Sequence, residues 1–113
     1  MNATPETIET ILNEARQAAQ AASLGFFKEQ LGGKDNYPCG FAWVEIYGVK
    51  GNTKLGRKLK QLGINPAYQG GLQWWNPSSH NCQNIDTKEE GARAAADVLR
   101  RYGLDAYVGS RLD

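Results

Sequence analysis

Acidic residues are missing from the middle of this 113-residue chain, where no Asp or Glu lies between Glu45 and Asp86. The same interval contains five basic residues, Lys50, Lys54, Arg57, Lys58 and Lys60. The formal net charge of +1 therefore hides a locally basic centre between mildly acidic flanks. Such segregation is typical of a solvated helix face, and it also suits a site for an anion.

Long hydrophobic runs are absent, and cysteines are scarce, with only Cys39 and Cys82 in the chain. The polar, acidic N-terminus predicts neither a signal peptide nor a transmembrane helix, so we expect a cytoplasmic protein without membrane contact. Thiols stay reduced in that compartment, and we expect no structural disulfide. With 41% hydrophobic and 22% charged residues, the composition predicts one ordinary globular domain over residues 1–113.

Recognisable catalytic and cofactor motifs are also lacking. The glycine-rich stretches do not have the spacing of a phosphate-binding or dinucleotide-binding loop. Cys39, His80 and Cys82 offer a thiol and imidazole pair or three zinc ligands. A structural zinc site needs four ligands, however, and Cys39 precedes a predicted strand instead of a helix. We expect a protein that is not an enzyme and uses no cofactor or metal, with a Cys-His hydrolase as the enzymatic alternative.

Hydrophobic periodicity predicts three helices and three strands in the order α-β-α-β-α-β. The predicted helices cover Pro5–Leu31, 54–62 and 86–102, and the predicted strands cover 41–47, 72–76 and 104–110. Residues 1–33 contain the N-terminal helix, and residues 34–113 form a sheet-bearing core. Asn52 or Thr53 is expected to cap the second helix, and Asp86 the third. The predicted fold is an α+β two-layer sandwich, with a three-stranded sheet and three helices.

Alternation along the strands predicts a sheet with two unlike faces. One face carries aliphatic side chains such as Val44 and Ile46, and the first and third helices are expected to bury it. The opposite face gathers aromatic and polar side chains, namely Trp43, Tyr47, Gln73, Trp75 and Tyr107. Rings on a sheet are commonly core or subunit interface, and they also form ligand platforms.

We expect this aromatic face to hold a planar ligand. Trp43, Trp75 and Tyr47 offer rings on which a nucleotide base can stack. Asn76 and Asn84 carry paired hydrogen-bond donors and acceptors that would fix the orientation of the ligand.

The basic turn before the second helix is expected to meet the ligand's negative charge. Asn52 and Thr53 place backbone N–H groups at a helix N-terminus, a common arrangement for holding an anion. The side chains of Lys54 and Arg57 follow directly, and Arg111 near the C-terminus is a further candidate for a phosphate. The sequence thus predicts a site for a nucleotide-like anion.

Five short motifs resemble a known family. They are PCGFAWV at 38–44, GNTKLG at 51–56, WNPS at 75–78, QNID at 83–86 and GSRLD at 109–113. Through them the chain resembles a family of small bacteriophage proteins, over most of its length from Tyr37 onward. The resemblance implies a protein of the host cytoplasm, where small phage proteins bind host factors or sequester nucleotide signals of host defence.

Together these observations predict a non-enzymatic binding protein, assembled as a homo-oligomer, that captures a nucleotide-like anion such as a cyclic nucleotide immune signal. Two alternatives follow from the same aromatic face. It could bind single-stranded nucleic acid, whose bases stack on sheet-borne rings. It could also be the interface of an inhibitor that binds a host protein.

Overall fold

A four-stranded antiparallel sheet with helices packed on one face forms the fold. The computed structural model describes residues 2–30, 32–33, 38–68, 70–79 and 84–112. Its helices are α1 (Ile8–Glu29), α2 (Lys54–Gln61) and α3 (Ile85–Arg101), and its strands are β1 (Gly40–Tyr47), β2 (Asn65–Pro66), β3 (Leu72–Trp75) and β4 (Asp105–Leu112). The strand order across the sheet is β2-β3-β1-β4. The α+β class predicted from the sequence is confirmed.

The predicted number of three strands was wrong, because the short strand β2 adds a fourth at one edge of the sheet. Asn65 pairs with Gln73, and Pro66 pairs with Leu72. A proline has no N–H for a ladder and ordinarily indicates a loop, and the predicted elements leave residues 63–71 without a strand. An edge strand of two residues tolerates a proline, since one of its sides needs no partner.

The two predicted faces of the sheet are present. Along β1, buried and partly buried residues alternate, and Val44 and Ile46 are fully buried. Helix α3 lies across β1 and β4, and α1 packs along α3. Gly91 of α3 allows α1 and α3 to pack closely, because a Cβ at Gly91 would overlap Ser23 Oγ of α1. The aliphatic side chains of the sheet and the two long helices thus form one core.

The start of one helix agrees with the prediction from the sequence, and the starts of the other two differ from it. Of the two predicted caps of α2, Asn52 and Thr53, it is Thr53 that caps the helix, and its side chain accepts a hydrogen bond from Gly56 N. The predicted cap Asp86 was wrong, since α3 begins at Ile85 with Asn84 as its N-cap. The first helix begins at Ile8 instead of the predicted Pro5.

Candidate binding site

The sheet face opposite the helices carries most of the rings that were predicted to bind a ligand. Cross-strand pairing places Trp43 opposite Trp75 of β3 and opposite Gly109 of β4. The next outward residue of β1 is Glu45, which lies opposite Tyr107. Trp75 is 45% exposed and Tyr107 is 51% exposed. We call this surface the outer face, and it is open to solvent at both of these rings.

The ring of Trp43 is held by contacts with Trp75, Glu45 and the backbone of Gly109. Its ring centroid lies 4.7 Å from that of Trp75, with the two planes inclined by 38°. Its Nε1 donates a hydrogen bond of 3.0 Å to Glu45 Oε2. A Cβ at Gly109 would lie 2.5 Å from Trp43 Cε2, so the indole rests on bare backbone. Trp75 forms the outer half of this pair, and its Nε1 donates to Gln73 Oε1.

One end of the outer face is cationic. The ring of Phe41 meets Trp75 edge-on, with 6.1 Å between the centroids. Lys88 Nζ lies 5.4 Å from the centroid of Phe41, and Arg111 Cζ lies 5.5 Å from it. Both distances are within the range of cation–π interactions. The structure therefore brings the predicted cation Arg111 to the ring of Phe41, which in turn contacts Trp75, and adds Lys88 of α3 at the same ring.

The other end of the outer face is acidic. The Tyr47 hydroxyl donates a hydrogen bond to Glu45 Oε1, and this bond, with burial as a smaller cause, raises the pKa of the Tyr47 phenol. Asp105 lies opposite Tyr47 on β4, and its carboxylate raises the pKa of Tyr107. The rings of Tyr47 and Tyr107 are 6.0 Å apart. Two carboxylates at this end make the outer face around them unsuitable for a phosphate.

A cavity of about 450 Å³ opens where the chain leaves β1. Tyr47 lines one side, and Pro66 and Leu72, which pair where β2 meets β3, also line it. Lys50 and Gly51 contribute from the loop before α2. The volume falls within the usual range for small-molecule sites. Every lining residue belongs to the interval of the sequence that has no Asp or Glu. We call this the turn cavity.

The ring of Tyr47 is held in place as a wall of the turn cavity. Its hydroxyl is anchored on Glu45. Gly71 lies beside the ring, and a Cβ there would be 3.0 Å from Tyr47 Cδ1 and Cε1. Gly71 also has a φ of +73°, a conformation that favours glycine. A ligand could therefore stack on the partly exposed ring of Tyr47 without any rearrangement of that side chain.

The GNTKLG motif builds the turn that leads into α2. Thr53 N and Thr53 Oγ1 both donate to the carbonyl of Lys50, at 3.1 and 2.7 Å. Gly56 packs directly on this carbonyl, which a Cβ at Gly56 would overlap. Arg57 Nη1 donates to the carbonyl of Asn52 over 3.0 Å. The predicted anion contacts Thr53 N and Arg57 are thus already engaged within the turn.

Two other lysines, Lys50 and Lys60, lie at or beside the turn cavity. Lys50 lines it, and a Cβ at Gly51 would lie 2.8 Å from Lys60 Nζ. Lys60, Lys54 and Arg57 are not lining residues, but Lys60 Nζ lies at Gly51, which is one. Within the described part of the chain, none of these four cations forms an ion pair. The cavity therefore lies in a positive field that no described carboxylate neutralises by direct contact.

The two predicted amides lie outside the turn cavity. Asn76 follows Trp75, and its backbone N–H donates to the carbonyl of Ala42. Asn84 is fully buried, and its Oδ1 accepts a hydrogen bond of 2.8 Å from Thr87 N. Its burial as the cap of α3 leaves Asn84 no surface for a ligand.

The residues considered for metal binding and thiol catalysis are only partly described. Cys39 is exposed, and it forms an isolated β-bridge with Asn84. His80 and Cys82 lie outside the described residues. Among the residues that are described, no three His, Cys, Asp or Glu side chains come together as a metal site. No helix in that part of the chain has the length and apolarity needed to cross a membrane.

The structure thus divides the predicted site into two regions. Trp43, Trp75 and Arg111 share the outer face, whereas the turn before α2 belongs to the turn cavity. Tyr47 is the predicted residue that adjoins both. Lys50 and Lys60 could not be singled out from the sequence, because the basic interval contains them without indicating which lysine approaches a cavity.

Comparison with known proteins adds no family. No protein-family model, curated protein or solved structure matches the chain.

Proposed function

We propose that this chain is a non-enzymatic binding protein that captures a nucleotide-like anion in the turn cavity. The observation that carries the proposal is the lining of that cavity. It combines a fixed aromatic wall, Tyr47, with a lysine and bare backbone, and its residues come only from the acid-free interval. A concave site of this size with a few polar groups is the ordinary form of a small-molecule site.

The turn cavity has an apolar, aromatic side and a cationic side, and this difference would orient the ligand. Its planar base would stack on the ring of Tyr47 and contact the apolar side chains of Pro66 and Leu72. Its phosphate would lie on the other side, near the ammonium groups of Lys50 and Lys60. Glu45 keeps its negative charge while it accepts hydrogen bonds from Trp43 and Tyr47 on the outer face, which is a further reason to place the phosphate on the lysine side of the cavity.

A second cavity is less suitable for an anion than the turn cavity. It has a volume of about 390 Å³ and lies on the other side of the end of β1, where Tyr47 and Tyr102 line it. Asp105 also lines it, and a carboxylate at the wall of a cavity repels an anion. We therefore assign the anion to the turn cavity.

The resemblance to small bacteriophage proteins suggests the biological setting. In the host cytoplasm, a phage protein of this kind would sequester a nucleotide signal used in host defence, and a cyclic nucleotide is the ligand we propose. This assignment of source, compartment and ligand rests on the motifs of the sequence and on analogy.

Isothermal titration calorimetry tests the proposal with adenosine monophosphate, cyclic mononucleotides and cyclic dinucleotides, each compared with the uncharged nucleoside. We expect at least one nucleotide to bind and the nucleoside to bind more weakly. Tyr47→Leu removes a stacking platform and should weaken binding by about tenfold or more. Lys50→Gln and Lys60→Gln should each weaken it by about tenfold, as expected for a lost charge-assisted contact.

Lys54→Gln provides the matched control. It removes the same charge from the same basic segment, but Lys54 is not a lining residue, whereas Lys50 lines the cavity and Lys60 Nζ lies at the lining residue Gly51. Its effect should stay below about threefold, the size expected of an exposed charge. Equal losses for Lys50→Gln and Lys54→Gln would indicate a general positive field and contradict the assigned site. Absence of binding across the panel would contradict the function itself.

A further inference from the structure

We propose that the outer face of the sheet packs against the outer face of a second copy of this chain, with the strands of the two copies antiparallel. This inference goes beyond the proposed function and does not depend on it, because the turn cavity and the outer face are different surfaces. We infer that the partner of this face is a second copy of the chain because of how rings and charges are distributed along β1, β3 and β4.

The rings of the outer face form a connected apolar surface. Phe41 contacts Trp75, and Trp75 contacts Trp43. Two large rings that project from this surface, Trp75 and Tyr107, are about half exposed. Single exposed apolar side chains are ordinary on protein surfaces, whereas contiguous aromatic patches mark interaction sites.

Charge is segregated along the same surface. Arg111 and Lys88 lie at the Phe41 end, and Asp105 lies at the opposite end beside Tyr107. Arg111 and Asp105 belong to the same strand, six residues apart, and a strand rises about 3.4 Å per residue. The two charges are therefore separated by about 20 Å along β4. This arrangement gives a positive end and a negative end to a surface that also carries the polar side chains of Glu45 and Gln73 among its rings.

A twofold axis lying between the two sheets and perpendicular to the strands satisfies both charges. It reverses the strand direction of the second copy, so that Arg111 of each copy faces Asp105 of the other. A twofold axis along the strands would instead oppose Arg111 to Arg111. Twofold contacts use one self-complementary surface and close after two subunits, and sheets packed face to face lie about 10 Å apart.

The charges also decide against the main alternative occupant. A single strand of nucleic acid lying across the rings would carry phosphates past Asp105 and Glu45, and acidic groups repel a polyanion. A second copy of this chain presents a cation to Asp105 and an anion to Arg111. Complementary charge of this kind fixes the orientation of partners as well as attracting them.

Sedimentation velocity of the full chain over a wide concentration range tests the inference. We expect reversible dimers, with tryptophan emission moving to shorter wavelength as Trp75 leaves water. Arg111→Asp and Asp105→Arg should each raise the dimer dissociation constant by about tenfold or more, as like charges then face each other. The double variant exchanges the charges and should return the constant to within about threefold of the original.

Trp75→Ala gives an independent check and should weaken the dimer by at least about tenfold, because central aromatic residues dominate such contacts. Leu24→Ala is its control, since Leu24 is a comparably exposed apolar residue on α1. Circular dichroism of each variant verifies that it is folded. A chain that stays monomeric at all concentrations would overturn the inference. So would failure of the charge exchange to restore dimers, or binding of an oligonucleotide that Trp75→Ala abolishes.

Discussion

The indole of Trp43 occupies the space above Gly109 in which a side chain at that position would begin. A Cβ at Gly109 would lie 2.5 Å from Trp43 Cε2. The ring cannot easily swing aside, because Trp75 packs against it at a tilt and Glu45 accepts a hydrogen bond from its Nε1–H. The packing of the outer face therefore depends on a residue with no side chain on the neighbouring strand.

Gly109→Ala should lower the free energy of unfolding by about 1–3 kcal/mol, as expected for an overpacked site. Denaturant titration measures this loss. Gly25→Ala is the matched control, because a Cβ at Gly25 meets nothing within 4 Å. Alanine is the better helix former, so this control should be neutral or gain up to about 1 kcal/mol. Unchanged stability in Gly109→Ala would show that Trp43 is not held over Gly109.

The two glycines of the GNTKLG motif should respond differently to alanine. A Cβ at Gly56 overlaps the backbone carbonyl of Lys50, whereas a Cβ at Gly51 meets the end of the flexible Lys60 side chain. Gly56→Ala should cost at least about 2 kcal/mol of stability, and Gly51→Ala less than about 1 kcal/mol. Thermal and denaturant unfolding compare them directly. Equal costs would contradict the close packing of Gly56 on the turn.

Asn84 should matter to stability more than Asp86. Asn84 is buried, and its side chain caps α3 through Thr87 N. Its replacement by alanine should cost about 1–2 kcal/mol, the usual loss for an N-cap. Asp86→Ala should cost no more than about 0.3–1 kcal/mol, since an exposed acid in the first turn contributes only through the helix dipole. The reverse order in denaturant unfolding would favour Asp86 as the cap.

The strand pattern predicted the two faces of the sheet because alternation needs only local sequence. Val44 and Trp43 are neighbours in the chain, and the pleat alone sends their side chains to opposite sides. The same local reasoning offered Asn52 or Thr53 as the cap of α2, and Thr53 is the one that caps it. It failed at Asp86, where Asn84, two residues earlier, caps the helix instead.

Features that depend on distant residues could not be predicted. The edge strand β2 exists because β3 offers it a partner, and its proline indicated a loop. The turn cavity joins the end of β1 to Pro66 and Leu72, which are separated from Tyr47 by a whole helix. The division between the outer face and the turn cavity likewise follows from where α2 and the loop before it lie, which no local pattern specifies.

Tyrosine ionisation should reveal the contact between Tyr47 and Glu45. The ordinary pKa of a phenol is 10.0, and the hydrogen bond to Glu45 raises the pKa of Tyr47 above it. The bond requires a protonated phenol, so its contribution to stability is complete below pH 10 and is lost as the pH rises through the raised folded-state pKa.

Glu45→Gln removes the carboxylate charge, and spectrophotometric titration should then show one phenol ionising at lower pH. Glu14→Gln is a parallel control, because the Tyr102 hydroxyl donates to Glu14 Oε1 over 2.7 Å and the pKa of Tyr102 is raised by that bond. Each variant should move a different tyrosine, which NMR of the rings can assign. If Glu45→Gln leaves every phenol unchanged, Tyr47 is not anchored on Glu45.

The assignment of the anion site to the turn cavity is tested most directly by amide NMR during titration with the nucleotide that binds best. We expect the largest chemical-shift changes at the backbone amides of residues 48–51 and at Gly71, with the indole N–H signals of Trp43 and Trp75 nearly unmoved. Changes concentrated on those indole signals, with residues 48–51 unaffected, would move the ligand to the outer face and contradict the assigned site.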